Sequence, residues 1–290
     1  MAGQNRAKAK KNSQFLDVMK RLSKKKAAMI SLIIFLIVVV IALLGQRIAP
    51  YNATQMDPKA SFAAPSPAHP FGCDKYGRDI LSRLIVGASY SLSIGVLGVI
   101  VSNVFGMFFG AIAGFFGQKA DNIVMRIMDV VQSIPGILLS MIVSTVLGSG
   151  YFNTVLALSI GAIPNTSRML RGCILSIRNM EYVEAAESIN CSKWRIIVHQ
   201  IIPNCFSPIL VGATMGIGGT LSQAAALSFI GLGIQPPMAE WGAMLSDGRQ
   251  YISTHPHMLL FPGLAIAIVI FTLNVLGDGL RDVMDPKLKK

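Results

Sequence analysis

The sequence predicts an all-α fold, a polytopic membrane protein with six transmembrane helices, and three observations carry that expectation. The 290 residues are 52% hydrophobic and only 14% charged, whereas a soluble domain carries about a quarter charged residues. The apolar residues fall in long uncharged blocks: Ala27–Gln46, Leu84–Gln118, Val130–Ser167, Ile196–Ala239 and Tyr251–Gly277 contain no Asp, Glu, Lys or Arg. The basic residues, finally, cluster beside those blocks. The first block, at about 1.5 Å rise per residue, gives about 30 Å, the thickness of the hydrocarbon layer.

Taken in order, residues 1–26 form a basic arm in which Arg6, Lys8, Lys10, Lys11, Lys20, Arg21, Lys24, Lys25 and Lys26 face the single acid Asp17. The first span, 27–46, has too long an apolar core for a signal peptide and no A-x-A site after it, so it reads as an uncleaved signal anchor. An extracytoplasmic loop, 47–88, follows, rich in proline (Pro50, Pro58, Pro65, Pro67, Pro70). The core, 89–282, holds five more spans, at about 89–117, 123–147, 152–172, 206–229 and 258–280. The turn "GSGYFN" (Gly148–Asn153) divides one over-long block into two of them. A short tail, 283–290, ends the chain. The positive-inside rule places both termini in the cytoplasm, together with Lys119, Arg126, Arg168, Arg171, Arg178, Lys193 and Arg195.

The net charge of +12 therefore lies where anionic lipid would meet it, not as a nucleic-acid surface. The spacings "GMFFG" (Gly106–Gly110) and "GATMG" (Gly212–Gly216) mark candidate close-packing faces. Cys73, Cys173, Cys191 and Cys205 are too scattered for a disulfide framework or metal cluster. His69, Cys73, Asp74 and Asp79 share one loop in "HPFGCDKYGRD", but Gly72 and Gly77 make it read as turns, so no metal site is expected. There is no phosphate loop and no H-E-x-x-H. The span centres hold no ionisable residue of the kind ion-coupled carriers use. A transporter so built must draw its energy from a partner.

One stretch has charge where the rest has none: "EYVEAAESINCSKWRIIVHQIIPN", Glu181–Asn204. Glu181, Glu184 and Glu187 suit the start of a helix. Asn190 tolerates the left-handed backbone that ends one. Ser192 can cap a second helix, Lys193–Ile202, stopped by Pro203, with Trp194, Ile197, Val198 and Ile201 as its apolar face. On spacing alone, a docking joint at 178–203 and a helix pair resting in lipid headgroups are equally good readings.

The stretch also resembles the E-A-A signature of ATP-binding-cassette (ABC) importer permeases. Glu184-Ala185-Ala186 and Ile201-Ile202-Pro203 stand in its places, and Asn190 occupies the glycine place. "HPFGCDKYGRDILSRLIVGA" (His69–Ala88), "LSFIGLGIQPPMAEWGAML" (Leu227–Leu245) and "FPGLAI…NVLGDGLRDVMDP" (Phe261–Pro286) are similar to the oligopeptide, dipeptide and nickel branch, in its second-permease, dipeptide permease C-like type. Cys73 stands where threonine is common in the branch.

The resemblance implies a type I importer permease fold and a non-catalytic, multi-pass transport subunit of the bacterial cytoplasmic (inner) membrane. It implies a heterodimer with a homologous second permease, two cytoplasmic ATPases that alone carry ATP and magnesium, and an external solute-binding protein. No cofactor is expected on this chain. Glu184, Ala185, Ala186, Asn190, Ile201 and Pro203 would form the ATPase-coupling site. Peptides are the expected cargo, with nickel complexes or glutathione as alternatives on the same machinery. An ion-coupled carrier is the reading from another class.

Overall fold

The computed structural model describes residues 19–284, and within them the regular structure is helical, with one isolated bridge, Cys73–Asp79, and no strand. The distal basic residues (Arg6 to Lys11, and Lys287, Lys289, Lys290) lie outside the described residues. The longer helices are α1 (Lys26–Ile48), α2 (Ile80–Phe115), α3 (Gln118–Gln132), α4 (Gly136–Leu147) and α5 (Tyr151–Ile177). After them come α6 (Glu181–Ser188), α7 (Lys193–Ile196), α8 (Phe206–Phe229), α9 (Trp241–Gly248) and α10 (His257–Met284).

Four stretches are long and apolar enough to cross a membrane: α1, α2, the run Lys193–Phe229 that ends in α8, and α10. A fifth crossing exists if α3 and α4, which meet at 85°, count as one bent span. The six expected are not all reached on these grounds. Helix α5 is long enough at 27 residues, but Asn153, Asn165, Arg168 and Arg171 dilute its apolar run. The expected straight third span is instead broken at Ser133–Pro135. Pro135 has no N–H to donate and disfavours helical geometry at Ile134, so the chain turns there. Helix α2 also begins nine residues before the expected start. Asp79 accepts the backbone N–H of Ser82 at 2.7 Å and so caps the helix at Ile80.

Helix α2 is the spine, packed along α5, α1 and α8. Its seam with α5 is closed by glycines. A Cβ on Gly106 would come within 2.5 Å of Thr166, one on Gly110 within 2.6 Å of the Ser167 carbonyl, and one on Gly114 within 2.8 Å of Ile174. The "GMFFG" spacing is thus a true packing face, because only a hydrogen fits beneath the α5 backbone. "GATMG" is looser: a Cβ on Gly212 would lie 3.3 Å from Met169 and one on Gly216 3.3 Å from Val99.

The two ends of the bundle are finished differently. At one end the loop between α1 and α2 folds over α9 and the start of α10. Phe71 stacks on Phe261 with centroids 4.0 Å apart, and Phe62 meets Tyr251 edge-on at 4.8 Å. Beneath them Arg78 donates to Asp74 at 2.5 Å and Asp247 at 3.1 Å, while Arg83 donates to the Ala53 carbonyl at 3.1 Å. Arg78 and Arg83 are both buried. Glu240 caps α9 through the N–H groups of Gly242 (2.9 Å) and Ala243 (2.8 Å), and Trp241 donates to the Leu84 carbonyl at 3.0 Å. Burial raises the Glu240 pKa, and those backbone donors only partly oppose it. At the other end stand the turn into α3, the C-terminus of α5 and the charged stretch α6–α7.

Candidate functional site

Helix α6 forms where the sequence places acids in a first turn, and its geometry sorts its residues into two faces. Val183 and Ala186 are buried, while Glu181, Glu184, Ala185 and Glu187 are exposed. The buried pair packs into a cluster with Leu170 and Ile174 of α5, Ala111 of α2, and Ile196, Ile197, Ile201 and Cys205. Glu184 and Ala185 are thereby displayed on a base welded to the membrane helices.

The helix ends as the sequence expects. Asn190 has φ +55°, its N–H donates to the Glu187 carbonyl at 2.8 Å, and the Cys191 N–H reaches back to the Ala186 carbonyl at 3.1 Å. These are the two bonds of a Schellman turn, which satisfies orphan carbonyls of the last turn. Ser192 then caps α7 by accepting the Arg195 N–H.

Beyond this point the structure corrects the sequence reading. Pro203 does not stop the second helix. Only Lys193–Ile196 is α-helical; Ile197–Ile201 widens to a π turn, Ile202–Cys205 tightens to 3₁₀, and the chain runs straight into α8. Proline lacks an N–H, and its ring crowds the carbonyl four residues back. The preceding π turn is the kind of local widening that absorbs such a defect. The joint therefore connects to α8 by a continuous helical path, not through a flexible break.

The apolar face differs too. Ile196, Ile197 and Ile201 are buried, whereas Trp194 and Val198 are exposed. Trp194 instead stacks on Phe108 of α2, centroids 6.0 Å apart and planes 8° from parallel. The 3.6-residue period of an α-helix assigned Val198 inward, and the π turn rotates it out. Of the six expected site residues, Glu184, Ala185, Asn190 and Pro203 are exposed, and Ala186 and Ile201 are buried supports. A shallow cavity of about 210 Å³ lies in the crook, lined by Ala186, Cys191, Arg195, Ile196, His199 and Gln200.

One feature of the site was missed in the sequence. Cys173 and Cys205 face one another with Cα atoms 6.0 Å apart, a spacing that a disulfide can bridge. The pairing spans the whole joint, and a separation of 32 residues left no sign of it in the sequence. Two ion pairs brace the same end: Arg171 grips Asp121 of α3 with two hydrogen bonds of 2.5 and 2.6 Å, and Arg168 reaches Asp129 at 2.7 Å. The result is a mechanical element. An exposed acidic shoulder is fixed by backbone geometry and by an apolar weld to α5, and it continues helically into α8.

Known proteins share this architecture. Residues 106–290 match the family described as the binding-protein-dependent transport system inner membrane component, and residues 13–65 match the N-terminal transmembrane domain of oligopeptide transport permease C. The dipeptide transport system permease protein DppC of Alkalihalophilus pseudofirmus is 40% identical over 277 residues, covering 96% of this chain and 91% of that protein. The glutathione transport system permease protein GsiD of Pectobacterium atrosepticum is 41% identical over 271 residues, covering 93% and 90%. Among solved structures, the inward-facing MetNI methionine ABC transporter matches with TM-score 0.57 at 21% identity, over 70% of this chain and 96% of that one. That likeness speaks to the fold alone. The chain belongs to the family of inner-membrane permeases of binding-protein-dependent ABC transport systems, in its oligopeptide permease C branch.

Proposed function

We propose that this chain is one of two homologous permeases lining the pore of an ATP-driven importer, and that its cargo is a small peptide. The joint α6–α7 would seat on one of two cytoplasmic ATPases, which carry the ATP and magnesium. An external solute-binding protein would deliver the solute, and both termini of this chain would lie in the cytoplasm. The observation that supports this best is the split of α6 into an exposed face bearing Glu184 and Ala185 and a buried face bearing Val183 and Ala186. A helix resting in headgroups would turn its apolar face to lipid. Here that face is consumed inside the bundle, and a charged face is left for a partner.

In mechanism, closure of the ATPase pair on ATP would pull the joint. Because Ile197–Cys205 stays helical into α8 and Val183 packs with Leu170 and Ile174 of α5, the pull would rotate both helices as rigid bodies. A ligand-driven switch needs a partner that binds the two states differently, and the joint is the surface through which that difference would enter. Dipeptides and glutathione, named for the two relatives, both carry an amine and carboxylates on an amide backbone, which supports the choice of cargo class. Nickel complexes remain the runner-up cargo.

The test is reconstitution. The chain, its homologous permease, the ATPases and the binding protein encoded beside it are placed in liposomes. Uptake of labelled dipeptide that requires ATP and ignores a proton or sodium gradient is expected. Uptake at the same rate with the ATPases omitted would reject the reading.

A further inference from the structure

The loop ahead of α2 brings together three side chains that the transport reading does not use. His69 Nδ1, Cys73 Sγ and a carboxylate oxygen of Asp79 all lie within 4.8 Å of one another. Cys73 and Asp79 are buried, and His69 is the partly open member. We propose that His69, Cys73 and Asp79 form a binding site for a borderline divalent cation of the zinc type, which ties the loop to the first turn of α2.

Each ligand is held by its own support. Asp79 Oδ2 accepts both the N–H and the hydroxyl of Ser82, at 2.7 Å each, and this leaves Oδ1 turned toward His69 Nδ1 at 2.9 Å. The His69 ring lies against Tyr51, centroids 4.8 Å apart. Tyr51 is fixed by its own N–H to Ser82 Oγ (3.0 Å) and its hydroxyl to the Ala68 carbonyl (2.9 Å). Cys73 is set by the bridge to Asp79 and by its N–H to the Ala63 carbonyl at 2.9 Å. Gly72, at φ +76°, has no space for a side chain: a Cβ would meet the Ala63 carbonyl at 2.6 Å and the His257 ring at 2.8 Å. Outer contacts that orient ligands in this way are the mark of built metal sites.

The sulfur and the field around it agree with the assignment. Cys73 is fully buried, and its thiol makes no hydrogen bond among the described residues. The carboxylate of Asp79 beside it gives the pocket a negative field that favours a cation. The buried and half-buried cations nearby are engaged elsewhere: Lys75 and Arg78 on Asp247, Arg78 and Arg83 on Asp74. Nitrogen, thiolate sulfur and carboxylate oxygen at bond lengths of about 2.0–2.3 Å suit tetrahedral zinc, with water as the fourth ligand on the open side of His69. The charges balance. The metal displaces the thiol proton to solvent, the imidazole proton moves from Nδ1 to Nε2, and a dication meets two anions.

The test uses the full chain, purified in detergent, reduced, stripped with chelator and titrated with zinc chloride in a calorimeter. One equivalent of zinc is expected, together with protection of Cys73 from alkylation and a rise in the unfolding temperature. Cys73→Ser and His69→Ala should each weaken binding at least about tenfold, and Ser82→Ala, which removes only a support, should fall in the tenfold-to-hundredfold range. Cys191→Ser should bind like the wild type. Cys73→Thr, which keeps the size of the side chain, should fold and show no zinc-dependent gain in unfolding temperature. An absence of stoichiometric binding, or equal binding by wild type, Cys73→Ser and His69→Ala, would overturn the proposal. Both outcomes leave the transport reading untouched, since that reading is tested by ATP-dependent uptake.

Discussion

Both ends of this bundle are rich in charge, and they use it in opposite ways. At the loop end, Asp74, Arg78, Asp79, Arg83 and Glu240 are buried and satisfied by one another or by backbone N–H and carbonyl groups. At the joint end, Glu181, Glu184, Glu187, Lys193 and Arg195 are exposed and take part in no ion pair among the described residues. A charge buried without a partner costs several kcal/mol, so those of the loop end are committed to the fold. The charges of the joint contribute little to the fold and are available to something else.

The largest effect this contrast implies is functional and carries little structural cost. Glu184→Lys replaces an exposed carboxylate, so the chain should insert and fold as before. ATP-driven uptake in the reconstituted system should vanish, because the shoulder would present the wrong charge to its partner. Normal ATPase binding and normal uptake in that variant would break the comparison on the functional side.

Arg78→Ala is the mirror case. It strands Asp74 in a buried site and loosens Asp247, and breaking a buried pair of this kind costs about 3–5 kcal/mol. Lower yield and a lower unfolding temperature are expected before any change in coupling. An unfolding temperature equal to that of the wild type would show that the loop end is wetter than its burial implies.

How much of this was legible in the sequence follows the same divide. The joint could be read residue by residue, since its acids, the left-handed Asn190 and the Ser192 cap are local features, and backbone chemistry over four or five residues decides them. The uncharged blocks gave α1, α8 and α10 to within a few residues. The loop-end cluster was illegible, because Arg78 to Asp247 is a contact across 169 positions and Ser91 to Glu240 one across 149. The Cys173–Cys205 proximity was hidden for the same reason. The failure at Pro203 has another cause. Sequence rules treat proline as a stop, whereas here tertiary packing of Ile197 and Ile201 keeps the chain helical through a π turn. The bend at Pro135 has a local cause, the missing N–H, but the uncharged block runs through it, so block length alone reads one straight span there.

Glu240 offers a smaller and pH-dependent test of the loop end. Its folded pKa is raised by burial, so between the usual carboxylate pKa and that higher value the folded chain binds more protons than the unfolded one. Stability should therefore fall as pH rises through that window. Glu240→Gln keeps an acceptor for the start of α9 and should flatten the fall. Glu240→Ala leaves the Gly242 and Ala243 N–H groups orphaned, at about 1–3 kcal/mol each, and should lower stability at every pH. A wild-type stability curve parallel to that of Glu240→Gln would remove Glu240 from the account.

The smallest expected effect lies at the joint, and it separates shape from charge. Asn190 holds φ +55°, a conformation that costs most L residues about 1–2 kcal/mol, and asparagine less. Asn190→Gly removes that strain but adds freedom to the unfolded chain, a cost of about 0.5–1 kcal/mol. The two terms nearly cancel, so stability should change by less than about 1 kcal/mol and uptake should be unaltered. Asn190→Val is β-branched and uncharged, so it leaves every charge of the joint in place while opposing the Schellman turn. If the turn sets the angle of the acidic shoulder, uptake should drop in the valine variant although Glu184 is intact, and ATPase affinity should drop with it. Full coupling in the valine variant would mean that the shoulder is positioned by its buried face alone, through Val183 and Ala186, and that the left-handed residue only terminates a helix.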